Sequence, residues 1–196
     1  MPRPADPSLR LRILAAADAL WGGGGDAAVT IRDVAKRAST TTPSVYAHFE
    51  DRAALLRGVR ALARSRFEAA LSTADGVIDG SRRVLDFVEA HPRDYELLLG
   101  YGYRERVEKG TRAAELMAFE DHVRKAGVHE REVRPTALAI ASLLHGAAMF
   151  RLAHAAADDS WPHWREAALD ACATLIEARR DGHTPAPVQQ SPKAAR

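Results

Sequence analysis

The sequence has little of several features that define large classes of proteins. Its 196 residues include a single cysteine, Cys172, which excludes an internal disulfide and any metal site built from several thiolates of one chain. No stretch approaches the roughly 20 apolar residues that span a bilayer, and residues 1–14 lack the apolar region of a signal peptide. We therefore expect a soluble, cytoplasmic protein with no membrane partner.

The sequence also lacks the pattern of β-strands. Valine, isoleucine and threonine never gather into alternating runs, whereas alanine, leucine, arginine and glutamate, which favour helices, are abundant. The expected fold class is therefore all-α. Helical spacing and punctuation by glycine and proline predict four helices before residue 75 and five beyond it, at about 81–90, 93–101, 104–126, 134–157 and 162–180.

Charge is unevenly distributed along the chain. Residues 1–66 hold 11 Lys and Arg against 6 Asp and Glu, a balance of +5, whereas residues 67–196 hold 17 against 20, a balance of −3. An excess of cations is what a surface that binds a polyanion needs. The N-terminal part is therefore the candidate for contact with double-stranded DNA.

Two short helices joined by a tight turn are predicted within residues 30–49. Thr30 is followed three residues later by Asp33, which is the spacing of a capping box. Thr41 is placed to cap the next helix, where Pro43 is tolerated because it falls in the first turn. Such a pair can brace one helix across the phosphate backbone while the other enters the major groove, so the pattern indicates a helix-turn-helix.

The tip of the second short helix carries hydroxyl side chains. Thr42 and Ser44 can approach base edges or phosphates without a bulky stem. The glycine run before this segment, Gly22–Gly25, follows a helix and lacks the Gly-Lys-Ser/Thr ending of a phosphate-binding loop, so we interpret it as a turn. The predicted core of the segment consists of Ile31, Val34, Ala35, Val45 and Phe49.

A longer pattern between about residues 10 and 56 is specific to one family. Its members are Ile13-Leu14-Ala15-Ala16-Ala17, Thr30, Val34-Ala35, Ala38, Val45-Tyr46-Ala47-His48-Phe49, Arg52 and Leu55-Leu56. At this spacing they resemble the TetR family of regulators. The resemblance implies nine helices, arranged as an N-terminal three-helix DNA-binding domain and a C-terminal helical domain for ligand binding and dimerisation.

Gly76 and Gly80 are expected to close the segment of the fourth helix, which puts the domain boundary between Thr73 and Gly80. We expect the helix-turn-helix domain, with a connecting fourth helix, at residues 1–75 and the ligand-binding and dimerisation domain at 76–181. Residues 182–196 contain three prolines and little apolar surface, so a disordered tail is expected there.

Eight DNA-contacting residues follow from the resemblance. Those expected to touch phosphates are Thr30, Tyr46, His48 and Arg52, and those expected nearest the bases are Thr41, Thr42, Pro43 and Ser44. Each class has a structural alternative. The two threonines Thr30 and Thr41 would be only helix caps, Tyr46 a half-buried core aromatic, and His48 an ordinary surface histidine.

Two positions depart from the family pattern. The turn commonly reads Ala-Gly-Val-Ser, whereas this chain has Ala-Ser-Thr-Thr at 38–41. Ser39 is therefore expected to adopt a backbone conformation that glycine reaches more easily. A lysine often found at the position of Thr42 is absent, and the lysine that usually opens the fourth helix is replaced by Arg52, a change that preserves a phosphate-binding cation.

Dimerisation is expected because one recognition helix contacts few bases, and dimers bind half-sites about 34 Å apart. The resemblance places the homodimer interface in the last two helices, 134–157 and 162–180. Small-residue faces suited to close packing are Ala137, Ala141, Leu144 and Ala148 on the first, and Trp164, Ala168, Ala171, Leu175 and Ala178 on the second. Similar stripes also occur in ordinary helical cores.

Aromatic and thioether residues between 81 and 157 suggest an apolar pocket for a small hydrophobic effector. The candidate ligand-binding residues are Tyr101, Phe119, His145 and Met149. The alternative is that these side chains are plain core. The favoured function is then a ligand-responsive repressor, and a DNA-binding regulator without an effector remains open.

A helical enzyme is the less favoured alternative. The eight histidines are scattered, without metal-ligand spacing, and Cys172 lies on an alanine stripe where a buried thiol would be inert. The sequence therefore predicts no catalytic residue, no metal ligand and no cofactor.

Overall fold

The computed structural model describes residues 7–99, 114–153 and 159–180, and over these ranges the chain is helical, with no strand. The helices are α1 (Pro7–Gly24), α2 (Ile31–Arg37), α3 (Thr42–His48), α4 (Arg52–Leu71), α5 (Val77–Ala90), α6 (Pro92–Leu99), α7 (Ala114–Lys125), α8 (Glu130–Ala153) and α9 (Trp161–Arg180). A short 3-10 turn, Asp26–Ala28, lies between α1 and α2. The all-α fold with nine helices is thus confirmed within the described ranges. Tyr101 and the predicted tail lie outside them.

The first three helices pack around one small core. Ile13, Ala17 and Trp21 lie at four-residue spacing on α1, and each is at most 1% exposed. They face α2, α3 and α4, whose Val34 and Val45 are fully buried. The spacing of apolar residues on α1 therefore accounts directly for the helix-turn-helix scaffold.

The turn after α2 has the left-handed backbone conformation that was predicted from serine in the place of the usual glycine. Ser39 has φ 52° and is, within the described ranges, the one residue other than glycine with positive φ. Its N–H donates to the carbonyl of Lys36 at 3.2 Å, and the N–H of Thr40 donates to the carbonyl of Ala35 at 2.9 Å. This pair of bonds is a Schellman motif, whose left-handed position glycine usually occupies.

Helix α4 contacts both parts of the molecule. Asp51 caps it by accepting from the N–H of Ala54 at 2.5 Å, and its inner face includes the fully buried Leu55, Val59 and Ala63. This helix packs against α1 on the N-terminal side and against α5 and α6 beyond. The link from α4 to α5 spans residues 72–76, where the domain boundary is predicted.

The C-terminal core is organised around α8. Its inner face includes Val133, Ala137, Ile140, Leu144 and Ala148, none more than 2% exposed. This face packs against α5, α7 and α9.

Two predicted helix starts are wrong. Helix α5 begins at Val77, because Gly76 with φ 90° precedes it, and not at 81. Gly80, which was expected to close the preceding segment, lies inside α5, where an added Cβ would be 3.7 Å from the ring of Phe119. Helix α8 begins at Glu130 and not at 134, so Pro135 lies within the helix.

The expectation that no stretch is long and apolar enough to span a bilayer is also wrong when judged by length and composition alone. An 18-residue window in α8 has a mean hydropathy of 1.4, which is enough by length and composition to cross a membrane. Core helices of soluble proteins meet the same criterion, and 33% of this window is buried inside the fold. One such helix is weak evidence for a membrane span.

The strained turn gives a prediction for stability. Replacing Ser39 with glycine should raise the free energy of unfolding by about 0.5 kcal/mol, because the left-handed cost of roughly 1–2 kcal/mol exceeds the extra chain entropy of glycine, about 0.5–1 kcal/mol. Thr40→Gly, at a position without positive φ, is the matched control and should destabilise. Urea denaturation measures both, and a Ser39→Gly variant less stable than the parent would contradict the argument.

Candidate nucleic-acid interface and its connection to the core

Helix α3 divides into a buried face and an exposed face. Val45 and Phe49 are 0% and 4% exposed, whereas Tyr46 between them is 53% exposed. Thr42 and Pro43 are also exposed, and Ser44 is partly buried. The tip of α3 therefore presents the predicted base-proximal residues to solvent, and Tyr46 is not a core aromatic.

The two capping threonines are engaged within the chain. Thr30 Oγ1 accepts from the N–H of Asp33 at 3.1 Å and donates to its carboxylate at 2.5 Å. Thr41 Oγ1 accepts from the N–H of Ser44 at 3.3 Å and lies 2.9 Å from the Ser44 hydroxyl. Both threonines thus serve as helix caps, which orients α2 and α3. Their DNA contacts remain predictions.

Arg52 also has an internal role. Its Nε donates to the carbonyl of Val29 at 2.8 Å, and its terminal nitrogen donates to the carbonyl of Asp26 at 2.6 Å and pairs with the Asp26 carboxylate at 2.9 Å. These bonds hold the α1–α2 connection against the start of α4. His48 is partly buried at the end of α3, and phosphate contact by either residue remains a prediction.

Exposed cations near the turn were missed by the sequence argument. Arg32, Lys36 and Arg37 are exposed on α2, and Arg37 lines a shallow groove with Arg12 and Ser39. They lie in the segment whose charge balance is positive. That balance was the signal that could have drawn attention to them.

A second missed feature joins the N-terminal helices to the core. Arg66 on α4 makes two hydrogen bonds to the carboxylate of Asp18 on α1, at 2.9 and 3.0 Å, and its Nε donates to Asp94 on α6 at 2.8 Å. Asp94 is 7% exposed. The hydrogen bonds to Asp18, together with the one to Asp94, raise the pKa of Arg66, so the guanidinium stays protonated.

Trp21 adds a second bond between α1 and α6. Its indole Nε1 donates to the carbonyl of Arg93 at 2.9 Å, and the ring is 1% exposed. With the Arg66 bridge, this bond attaches α6 directly to the first helix of the N-terminal unit. A displacement of α6 would therefore act on both α1 and α4.

Three of the candidate ligand-binding residues, Phe119, His145 and Met149, lie in the described ranges and differ in their surroundings. Phe119 is 5% exposed and lies against Gly80 on α5. His145 Nδ1 lies 3.4 Å from the hydroxyl of Tyr95, and burial lowers the pKa of His145. Met149 lies on the outer surface, 47% exposed. The structure thus brings His145, which is itself exposed, to a buried tyrosine that sequence reasoning did not single out, and it leaves Met149 exposed as well.

The expected interface stripe on α8 is corrected. Ala137, Leu144 and Ala148 are buried within the chain, at 0%, 2% and 0% exposure, and so form the inner face of the helix. Ala168 on α9 is also buried. The outward apolar residues on α8 are instead Leu138, Leu143 and Met149, and on α9 Trp164 of the predicted face is exposed; these four are between 39% and 47% exposed. Trp164 stacks on Phe150 at 4.2 Å.

Cys172 on α9 is fully buried. Burial raises the pKa of its thiol, which keeps the thiol protonated. A protonated, inaccessible thiol is a poor nucleophile.

Comparison with known proteins identifies the class to which this geometry belongs. Residues 13–59, which contain α2, α3 and their turn, match the family model described as bacterial regulatory proteins of the tetR family. No curated protein matches the chain in sequence.

Solved structures share the fold over nearly the whole chain. The transcriptional regulator SCO7222, a TetR from Streptomyces coelicolor, is 22% identical with a TM-score of 0.65, covering 89% of this chain and 99% of its own. A TetR-family regulator from Rhodococcus sp. is 21% identical with a TM-score of 0.63, covering 86% and 99%. The multidrug binding protein EbrR, solved with imidazole, is 21% identical with a TM-score of 0.63, covering 90% and 94%.

The matched N-terminal segment and the shared fold place the molecule among helix-turn-helix regulators. The chain thus contains an N-terminal segment of the tetR family, and its described helices share the fold of solved TetR proteins.

The Arg66 bridge gives a prediction for stability. Arg66→Gln should lower the free energy of unfolding by about 2 kcal/mol, because the largely buried Asp94 carboxylate loses its partner. Asp94→Asn should cost less, and the double variant should be less destabilised than the sum by about 0.5 kcal/mol or more. Urea denaturation supplies the four values of the cycle.

Arg124 is the matched control for that cycle. It also joins two carboxylates, those of Asp121 and Glu130, but all three side chains are 46–71% exposed. Arg124→Gln should therefore leave the free energy of unfolding nearly unchanged, because solvent screens this exposed pair of ion pairs. Equal effects of Arg66→Gln and Arg124→Gln would show that the Arg66 bridge has no special importance.

Proposed function

We propose that this protein is a cytoplasmic repressor that binds operator DNA as a homodimer and releases it when a small hydrophobic effector binds. The observation that carries the DNA-binding part is the exposed tip of α3 on a buried scaffold. Thr42 and Pro43 protrude there, while Val45 and Phe49 fix the helix from below. The proposed DNA-binding domain extends to residue 75, and the effector and dimer domain covers 76–181.

The division of labour on the DNA follows from side-chain type and exposure. Tyr46, exposed and amphipathic, is suited to a phosphate contact, as is His48 at the end of the same helix. Thr42, Pro43 and Ser44 are small and lie at the N-terminal end of α3, which enters the major groove first. Contacts to phosphate give affinity, and contacts to base edges give sequence preference.

Three further residues complete the proposed interface. Thr30 and Thr41 cap helices whose first-turn backbone N–H groups can donate to a phosphate, so their capping role and a DNA contact nearby are compatible. Arg52 would contact a phosphate while bracing the α1–α2 connection, since a guanidinium has five N–H donors.

Dimerisation is supported by the apolar side chains that α8 and α9 leave exposed. Leu138, Met149 and Trp164 are each 44–47% exposed, on the pair of helices that the family resemblance implicates. Clusters of large apolar residues that are exposed in a single chain often mark a protein–protein interface. We therefore assign the interface to this outward face, where Ala171, Leu175 and Ala178 contribute from α9.

The effector pocket is proposed among α5, α6, α7 and α8. Phe119 supplies an apolar wall, and His145 with Tyr95 supplies a polar pair at the edge of the core. Tyr101 stays a predicted contributor, whereas the outward position of Met149 suits the dimer face better. The similarity to EbrR, a multidrug binding protein, supports this part of the proposal.

Signal transfer would use α6. An effector that moves α6 pulls on α1 through Trp21 and on α4 and α1 through Arg66, and so changes the separation of the two recognition helices in the dimer. The effector acts only through its different affinity for the two arrangements.

The DNA interface gives a prediction for affinity. Tyr46→Ala should weaken binding to all sequences by a similar factor and leave the slope of log K against log salt nearly unchanged, because a neutral phenol that hydrogen-bonds a phosphate releases no counterion. Thr42→Ala should instead change the ranking of operators selected from random DNA, with base discrimination altered by about 1–3 kcal/mol. Fluorescence anisotropy at several salt concentrations measures both.

Tyr46→Phe separates the hydroxyl from the ring in that experiment. It should weaken binding to all sequences as Tyr46→Ala does while keeping the packing of the ring. If Tyr46→Ala and Thr42→Ala reduced affinity equally on every sequence, the assignment of positioning and reading roles would be wrong.

The proposed dimer face gives a prediction for oligomeric state. Leu138→Glu or Met149→Glu should convert the dimer to monomer, because a buried unpaired carboxylate would face its symmetry copy. Leu11→Glu is the control, since Leu11 is 65% exposed but lies on α1. Sedimentation velocity distinguishes the outcomes, and dimers in all three variants would contradict the interface.

A further inference from the structure

A cleft opens where α1, α4 and α6 meet, outside the proposed effector pocket. Its volume is about 180 Å³, and Trp21, Leu56 and Leu97 supply one wall from each of the three helices. On α4 the lining residues Ala53, Leu56, Arg57 and Arg60 follow helical spacing, so one face of that helix borders the cleft. The cleft is therefore built by the same three helices that Arg66 joins.

The walls of the cleft are apolar and firmly held. Trp21 and Leu97 are 1% and 3% exposed, so little more than the edge of each side chain faces the cleft. The indole is fixed by its hydrogen bond to the carbonyl of Arg93. A rigid aromatic edge beside aliphatic carbon suits a flat hydrocarbon ring.

The rim of the cleft is cationic. Among the lining residues that the structure describes, Arg57 and Arg60 are cations and Asp26 is an anion that pairs with Arg52 at 2.9 Å. Two guanidinium groups beside an apolar wall match a carboxylate attached to a ring, because guanidinium binds carboxylate in a planar, two-bond geometry.

The volume limits the size of the occupant. A cavity of about 150 Å³ accommodates benzene, whereas pockets for drug-sized ligands start near 300 Å³. A cleft of 180 Å³ thus has room for one ring or two fused rings that project their polar group toward solvent.

We propose that this cleft is a binding site for small aromatic carboxylates, with the ring against Leu56 and the edge of Trp21 and the carboxylate between Arg57 and Arg60. The site is separate from the effector pocket proposed among α5–α8, and binding of a carboxylate to it can be measured without DNA. A failure of one proposal therefore leaves the other testable.

The test uses 2-naphthoate as the probe and the full chain at low salt. Isothermal titration calorimetry should show saturable binding of one molecule per chain, at least tenfold tighter than binding of the neutral 2-naphthamide. The indole N–H resonance of Trp21 should shift during the titration. It is identified as the resonance that persists in both Trp161→Phe and Trp164→Phe.

Three variants locate the site. Ala53→Phe should abolish binding by filling the cleft from an exposed position on α4, and Arg57→Gln should weaken 2-naphthoate at least fivefold while leaving 2-naphthamide unchanged. Arg64→Gln, one turn beyond Arg60 and outside the lining residues, is the matched control and should bind like the parent. Thermal melts establish that each variant is folded.

Three results would overturn the proposal. The first is absence of saturable 2-naphthoate binding. The second is equal affinity for the carboxylate and the amide, and the third is binding that survives Ala53→Phe without a shift of the Trp21 resonance.

Discussion

The bridge from Arg66 to Asp18 and Asp94 sets how the DNA-binding helices sit on the rest of the molecule. One guanidinium on α4 holds carboxylates from α1 and α6 at 2.8–3.0 Å, and the fork geometry of arginine suits such simultaneous pairing. Trp21 adds a bond from α1 to the backbone of α6. The orientation of the N-terminal unit thus depends on α4 and α6 together, and not on α4 alone.

This arrangement connects the two ends of the proposed mechanism. The exposed tip of α3 depends on α1 and α2 for its position, and α1 depends on α6 for its own. Helix α6 also carries Tyr95, whose hydroxyl approaches His145 on α8, and α8 presents the outward apolar face assigned to the dimer. A continuous set of contacts therefore runs from the proposed dimer face to the proposed DNA-reading tip of α3. The cationic cleft lies between α1, α4 and α6, which belong to this set.

The N-terminal fold was predictable because its signals are local. The cap at Thr30, the cap at Thr41 and the apolar spacing of α1 each act within a few residues, and the unusual serine in the turn correctly indicated the positive φ of Ser39. The Arg66 bridge was not predictable, because its partners lie 48 and 28 residues away. On α8, periodicity found an apolar stripe but could not tell that Ala137 and Leu144 face inward while Leu138 and Met149 face outward.

The central claim is that α3 reads DNA in a symmetric dimer, and selection from random-sequence DNA by the full chain tests it most directly. The account predicts enrichment of a motif with two-fold symmetry, whose half-site centres are separated by about 10–10.5 base pairs or a multiple of it. Failure to enrich any sequence, or enrichment of a single half-site without symmetry, would contradict the account.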